Sequence, residues 1–147
     1  MLDHLIGDDD LRKTFDVATS EDLFDPTRTD VATTSALVFP VFTYPALKNF
    51  SGGCIDLSSK PLFRTMIDTL LKPRLIAAPT ALIIPFGKVA STGIAYLCDA
   101  KHIDRARVLW GMPHPSGANG HRVRIFNENA ECMREQLTRF YNRQTAS

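Results

Sequence analysis

The chain has 147 residues, of which 44% are hydrophobic and 22% charged, and its formal net charge is +1. This length suits a single domain with a real hydrophobic core, and the composition excludes an intrinsically disordered chain. We expect neither a membrane span nor a signal peptide, because no long apolar run occurs and the first ten residues are acidic. Three widely spaced cysteines without a Cys-x-x-Cys pair favour reduced thiols in a cytoplasmic protein.

Charge is distributed unevenly along the chain. Residues 1–30 carry nine acidic and three basic side chains, whereas residues 101–147 carry eight basic and four acidic ones. The basic end could meet an anionic partner such as nucleic acid, because cations that approach phosphates release counterions. The alternative, which charge alone favours, is a solvated basic surface. We therefore divide the chain into an acidic, irregular or helical arm at 1–30 and one domain at 31–147.

After the arm, apolar patterns and chain breakers predict alternating strands and helices. Three strands are predicted, at 33–42, 81–86 and 105–112. Three helices are predicted, from Ser58 or Ser59 to about Leu71, from about Lys88 to Ala100, and at 127–142. Pro73 is expected to stop the first helix. This alternation favours an α/β fold with a parallel sheet and helices on both faces.

Residues 111–122 form a rigid loop between the last predicted strand and the last helix. They include two prolines, three glycines and two histidines, which suit neither a helix nor a strand interior. His114 lies between two prolines, so its imidazole is positioned to donate to a developing anion. Ser116 and the backbone N–H groups of Gly117 and Ala118 could hold a phosphate. On its own, the loop fits equally well a structural turn whose histidine caps the next helix.

Two other site types are weaker in this sequence. Phe86-Gly87-Lys88 lacks the phosphate-loop pattern and is better explained as a tight turn into a helix, although Lys88 could still meet a DNA phosphate. His102, Asp104, His114 and His121 have no metal-ligand spacing, so no metal site is expected. Cys98 and Trp110 are expected to be packing residues.

The loop resembles the second motif of the uracil-DNA glycosylase superfamily, which is a His-Pro-Ser loop between the last strand and the last helix. The matching residues are His114-Pro115-Ser116-Gly117-Ala118-Asn119. The resemblance covers about residues 31–142 and implies a three-layer αβα sandwich around a four-stranded parallel sheet. It also implies a base-excision repair enzyme that flips a damaged base out of DNA and hydrolyses its N-glycosidic bond. No metal or organic cofactor is required by this chemistry.

Individual roles follow from the same resemblance. His114 would be the catalytic residue, donating to the O2 atom of the leaving base. Ser35 would take the base-binding position near the end of an early strand. Ser116 would hold a DNA phosphate. Beyond the resemblance, we infer neighbouring DNA contacts from Asn119 and Arg122, in addition to Gly117, Ala118 and Lys88. Ala118 would occupy the position of the side chain that family members insert into the base stack when the damaged base is flipped out.

The first family motif, Gly-x-Asp/Asn-Pro, has no match in the chain. Residues 7–10 lack the proline and residues 24–27 lack the glycine, so the water-positioning residue is unassigned and the first strand is expected to be missing. Two alternatives therefore stay open. Besides an active glycosylase, the chain could be a truncated, catalytically inactive family member that at most binds DNA, or an unrelated α/β protein whose loop binds a nucleotide phosphate.

Overall fold

A computed structural model describes residues 18, 22, 25–50, 60–115 and 120–145, and the structural statements below concern these residues. Most of them are helical. The elements in chain order are strands β1 (Phe42–Thr43) and β2 (Lys48–Asn49) and helices α1 (Pro61–Met66), α2 (Lys72–Ile76), α3 (Gly87–Asp99) and α4 (Arg122–Thr145). A π-helical segment, Ile67–Leu71, joins α1 to α2, and a 3-10 turn at Arg105–Arg107 follows α3. None of the described helices combines the length and apolarity needed to cross a membrane.

The first helix does not end at Pro73 as the sequence predicts. A proline inside a helix lacks an N–H donor, and its ring clashes with the carbonyl group four residues earlier. Here the helix widens just before the proline, and the Lys72 N–H donates to the carbonyl of Ile67, five residues back. The helical path then continues to Ile76. The wider π turns therefore accommodate Pro73 inside one continuous helical path.

The two later helices occur where the sequence predicts them, with α4 longer than expected. Helix α3 begins at Gly87, and helix α4 covers Arg122–Thr145 rather than 127–142. The buried residues of α4 recur at helical spacing along one face. They are Phe126, Met133, Leu137 and Phe140.

Two extended segments lie between these helices and touch at one point. The Ile83 N–H donates to the Arg107 carbonyl at 2.8 Å, and the Leu109 N–H donates to the Ile83 carbonyl at 2.9 Å. These bonds form a single parallel bridge between Ile83 and Val108. Consecutive residues alternate between two core clusters, as an extended backbone requires. Val108 packs with the residues of α1 and α3, whereas Leu109 packs with those of α4.

The predicted αβα sandwich with a parallel sheet is wrong. Within the described ranges, sheet structure is limited to the antiparallel pair β1–β2 and the Ile83–Val108 bridge. Pro85 has no N–H to donate, which limits pairing beyond the bridge. The start of the predicted last strand forms a 3-10 turn instead, because the Asp104 carboxylate accepts a hydrogen bond from the Ala106 N–H at 2.9 Å.

The predicted first strand, 33–42, is also wrong except for its last residue. The Ser35 hydroxyl donates to the Leu37 carbonyl at 2.7 Å, a local bond typical of turns rather than strands. Phe42 then pairs with Asn49 across a short antiparallel hairpin. The Phe50 N–H donates to the Val41 carbonyl at 2.8 Å and continues the pairing by one step. Predicted helices before residue 25 lie outside the described residues, apart from Ala18 and Asp22.

Candidate functional site

The candidate site forms where α3 begins. Gly87 has a φ of +79°, in the region that side chains rarely adopt, and its N–H donates to the Met112 carbonyl at 3.0 Å. A Cβ atom at position 87 would lie 2.8 Å from the Cβ of His114, closer than real Cβ contacts allow. A glycine is therefore required at this position both by the turn and by the approach of His114.

His114 is exposed and lies directly against the first residue of α3. Pro113 before it is buried, and Met112 belongs to the core cluster packed on α4. The backbone on its N-terminal side is thus held by burial and by the Gly87–Met112 hydrogen bond. This contact places the histidine at the N-terminal end of a helix, beside a cavity.

The cavity beside His114 has a volume of about 710 Å³ and opens to solvent. Its walls are mostly apolar, and its polar lining comes from His114 and a stretch at 33–35. Phe50, Leu71, Leu75, Ile84 and Phe86 are among the apolar residues that line it. Concave, mainly apolar cavities of this size with a few polar groups are typical of small-molecule sites.

The cavity brings together two residues that sequence analysis assigned to one site. Ser35 and His114 are 79 positions apart in the chain, and both line the same cavity. Because the Ser35 hydroxyl donates its proton to the Leu37 carbonyl, its oxygen can act toward a ligand as an acceptor. The histidine can offer a donor, so the two positions supply complementary hydrogen-bonding groups.

No aspartate or glutamate is among the described residues that line this cavity. Basic groups lie around it instead. Arg74 donates to the Thr34 hydroxyl at 2.9 Å, and Thr34 lines the cavity. Lys88 is exposed in the first turn of α3, next in sequence to the glycine that contacts His114. The surroundings of the cavity therefore favour an anionic or neutral ligand over a cationic one.

The other predicted DNA-contacting residues are only partly described. Arg122 is half-buried and is the first residue of α4. Ser116, Gly117, Ala118 and Asn119 lie outside the described residues, so their predicted roles stay predictions. Of the predicted site residues that the structure describes, His114 and Ser35 line the cavity, Lys88 lies next in sequence to Gly87, and Arg122 is not part of the cavity lining.

Sequence analysis missed several residues of this cavity. Phe50 lies outside the predicted strands and helices, yet it stacks on Phe63 with ring centroids 5.3 Å apart. Leu75 lies beyond the proline that was expected to end the first helix. The available signal was the apolar residue spacing, since Leu71 and Leu75 are four positions apart and share a helix face.

Cys98 and Trp110 are packing residues, as the sequence predicts. Both are half-buried and pack against the cluster around α1 and α3. Burial raises the pKa of the Cys98 thiol above its usual value. The Arg105 guanidinium lies over the Trp110 ring, 5.1 Å from its centroid. Neither residue lines the cavity beside His114.

A second, smaller cavity of about 280 Å³ lies between the 3-10 turn and the end of α4. Its lining includes Arg107, whose guanidinium donates to the carbonyls of Ala78 and Ala81. Arg143 and Asp104, also in this lining, form an ion pair with a nitrogen–oxygen distance of 3.8 Å. Arg107 therefore connects the 3-10 turn to the loop after α2, and the Arg143–Asp104 pair connects the end of α4 to the residue before that turn. Both contacts are structural.

Comparison with known proteins finds a similarity without a function attached. The chain is 33% identical over 132 residues to a Bacillus subtilis (strain 168) protein described as uncharacterized protein YoxB. The match covers 88% of this chain and 50% of that protein, so the chain spans about half the length of the relative. No protein-family model matches the chain, and no solved structure matches it.

Proposed function

We propose that the cavity beside His114 receives a base flipped out of DNA, and that the protein acts in base-excision repair as a DNA glycosylase. The reaction would be hydrolysis of the N-glycosidic bond of uracil or a related damaged base. The observation that carries this proposal is the presence of Ser35 and His114 in one cavity. The proposal rests on the local site and on the His-Pro-Ser resemblance, not on the overall fold.

His114 would stabilise the departing base. When the glycosidic bond breaks, its electron pair moves onto the base, and a donor aimed at a base oxygen lowers the energy of that anion. Once a base fills the cavity, apolar walls formed by residues such as Phe86 and Leu75 would keep water away from this hydrogen bond and strengthen it. The contact with Gly87 supports this role, because it fixes the backbone that carries the imidazole.

DNA backbone contacts would come from basic residues at the starts of α3 and α4. Lys88 and Arg122 are the described candidates, and each phosphate contact adds affinity that falls with salt. Residues 116–119 would add the remaining contacts implied by the resemblance. The reaction calls for no metal or organic cofactor, and a cytoplasmic location agrees with the unpaired cysteine pattern of the sequence.

A second candidate function is DNA binding without hydrolysis. The observation that favours it is the lack of a carboxylate among the described residues of the cavity, since water attack on the sugar needs a group to position that water. In this case the same cavity would hold the base, and His114 would serve binding alone. The two candidates differ in whether free base is released.

The deciding experiment measures release of uracil from labelled single- and double-stranded oligonucleotides that contain it. We expect release by the wild type and a loss of about 100-fold or more for His114→Ala, because one positioned donor to a developing anion contributes about that factor. Ser35→Ala should weaken base binding and reduce release less. His102→Ala is the matched control, since His102 is an exposed histidine that does not line the cavity.

Equal release by His114→Ala and the wild type would contradict the proposed catalytic role. No release by a folded wild-type protein that still binds DNA would leave the second candidate standing. Thermal unfolding of each variant establishes that the substitutions leave the fold intact.

A further inference from the structure

The β1–β2 hairpin and the residues before it carry exposed apolar side chains. Tyr44 is 91% exposed, Leu47 71%, Phe39 59% and Phe42 55%. Isolated exposed apolar residues are ordinary, but here four large ones fall within nine residues of the chain, and such concentrations are typical of contact surfaces. Three of the four are aromatic, so the surface offers flat ring faces.

This surface adjoins the cavity beside His114. Leu37 and Phe50 both line the cavity, and the hairpin is the stretch of chain between them. The Phe50 ring stacks on the Phe63 ring. The Phe50 N–H donates to the Val41 carbonyl, and this bond connects Phe50 to the residue before the hairpin. A strand rises about 3.3 Å per residue, so each two-residue strand spans about 7 Å, and the hairpin extends from Phe50 by a distance of this order.

The charge of this segment suits a polyanion. Residues 31–50 contain one basic residue, Lys48, and no acidic residue. Arg74 is bound to this segment through the Thr34 hydroxyl. An anionic chain that crosses the hairpin would therefore meet one lysine and no carboxylate from residues 31–50.

We propose that the Phe42–Tyr44 side of the hairpin stacks the bases of single-stranded DNA that flank the base held in the cavity. This inference rests on the proposed DNA-binding function and assigns it a strand preference. Aromatic side chains beside cations are the usual means of holding single strands, because every base has a face that can stack. Paired bases in a duplex do not expose these faces, so the hairpin favours a single strand.

Two other occupants fit exposed apolar side chains but fit the charge and the position less well. A lipid surface needs apolar insertion and makes no use of the neighbouring cavity. A second copy of the chain would bring two surfaces of the same sign together. The hairpin is continuous in the chain with Leu37 and Phe50 of the cavity lining, and residues 31–50 carry Lys48 and no acidic residue, which favours DNA.

The test measures the binding of fluorescein-labelled single strands by fluorescence anisotropy. Each strand consists of about 12 thymidine nucleotides and contains no uracil. We expect Tyr44→Ala and Tyr44→Leu to weaken binding about 10-fold, whereas Tyr44→Trp retains it. On a strand of the same length made of baseless spacers, Tyr44→Ala should have no effect. Leu62→Ala is the matched control, because Leu62 is 61% exposed on α1 and lies outside the hairpin and the cavity lining.

Four outcomes would overturn the proposal. They are no binding of the thymidine strand by the wild type, full binding by Tyr44→Ala, an equal loss on the baseless strand, and retained binding by Tyr44→Leu. Anionic phosphatidylserine vesicles and sedimentation velocity serve as parallel arms. If Tyr44→Ala lowers vesicle binding or self-association but leaves oligonucleotide binding unchanged, the hairpin is a contact surface for a membrane or for a second copy instead.

The two proposals fail separately. Tyr44-dependent binding of a single strand without uracil release contradicts the glycosylase function and keeps the stacking surface. His114-dependent uracil release with binding that is insensitive to Tyr44 contradicts the stacking surface alone. Tyr44 is 91% exposed, so its substitution leaves the core intact.

Discussion

The helical part of the chain, residues 60–115 and 120–145, and the hairpin part, residues 25–50, place their apolar side chains in opposite ways. Every buried hydrophobic residue of the two core clusters belongs to the helical part. In the hairpin part the large apolar side chains are exposed or half-buried. The helical part therefore supplies the buried core of the molecule, whereas several large apolar side chains of the hairpin part are exposed to solvent.

The two parts should differ most in how far one substitution lowers the free energy of unfolding. Leu109→Ala should lower the free energy of unfolding by about 3 kcal/mol, because Leu109 is 1% exposed and its loss leaves a cavity. Phe42→Ala should change it by less than about 0.5 kcal/mol, since its side chain is largely exposed. Urea denaturation followed by circular dichroism measures both. Similar losses for the two variants would contradict the division.

An intermediate effect is expected at the contact between the parts. Phe50→Ala removes the stacking on Phe63 and should increase amide hydrogen exchange in the hairpin, while exchange in α3 and α4 stays unchanged. Mass spectrometry of peptic fragments resolves these segments. Phe39→Ala is the control, because Phe39 is 59% exposed. Faster exchange throughout the helices would show that the hairpin is part of one cooperative unit with the core.

The smallest effect concerns the start of the hairpin part. The Asp25 carboxylate accepts hydrogen bonds from the Thr27 hydroxyl at 2.6 Å and the Thr27 N–H at 2.8 Å, and these bonds lower the pKa of Asp25. A lowered pKa in the folded state stabilises the turn above the ordinary pKa of an aspartate, and this contribution disappears as the pH falls through the folded value.

Thr27→Val should therefore raise the pKa of Asp25 toward its ordinary value, because the hydroxyl bond is the largest cause of the shift. Carboxyl chemical shifts in an NMR titration measure this change. The Thr33→Val variant is the control, and its Asp25 titration should match the wild type. A titration of Asp25 that is unchanged in Thr27→Val would contradict the assigned cause.

Sequence patterns predict the helices of this molecule better than its extended segments. Helical spacing of residues such as Met133 and Leu137 is a local signal, and burial of that face is enough to define α4. Strand pairing depends on partners elsewhere in the chain, and Ile83 and Val108 make one bridge where a sheet was expected. The pattern identified extended, buried backbone but could not specify how many neighbours it would pair with.

The candidate site likewise combines residues that the sequence identifies with residues that local patterns miss. His114 was singled out by its flanking prolines, which are a local signal, and Ser35 was singled out by the resemblance. Their shared cavity also depends on Phe50, which lies outside the predicted strands and helices, and on Leu75, which lies beyond the predicted end of a helix. Pro73 was the misleading residue, since its effect on a helix depends on whether the preceding turns can widen.

The π-helical segment Ile67–Leu71 has a consequence for how sequences of this kind diverge. A π turn holds one residue more than the α turn it replaces, so it behaves as a one-residue insertion retained within a helix. Removing a residue there would restore regular winding and rotate everything after it by about 100° relative to α1. Leu75 and Arg74 would then leave the cavity wall and Thr34. In an alignment of longer relatives, a gap at this point therefore records a change in the cavity and not a neutral change in helix length.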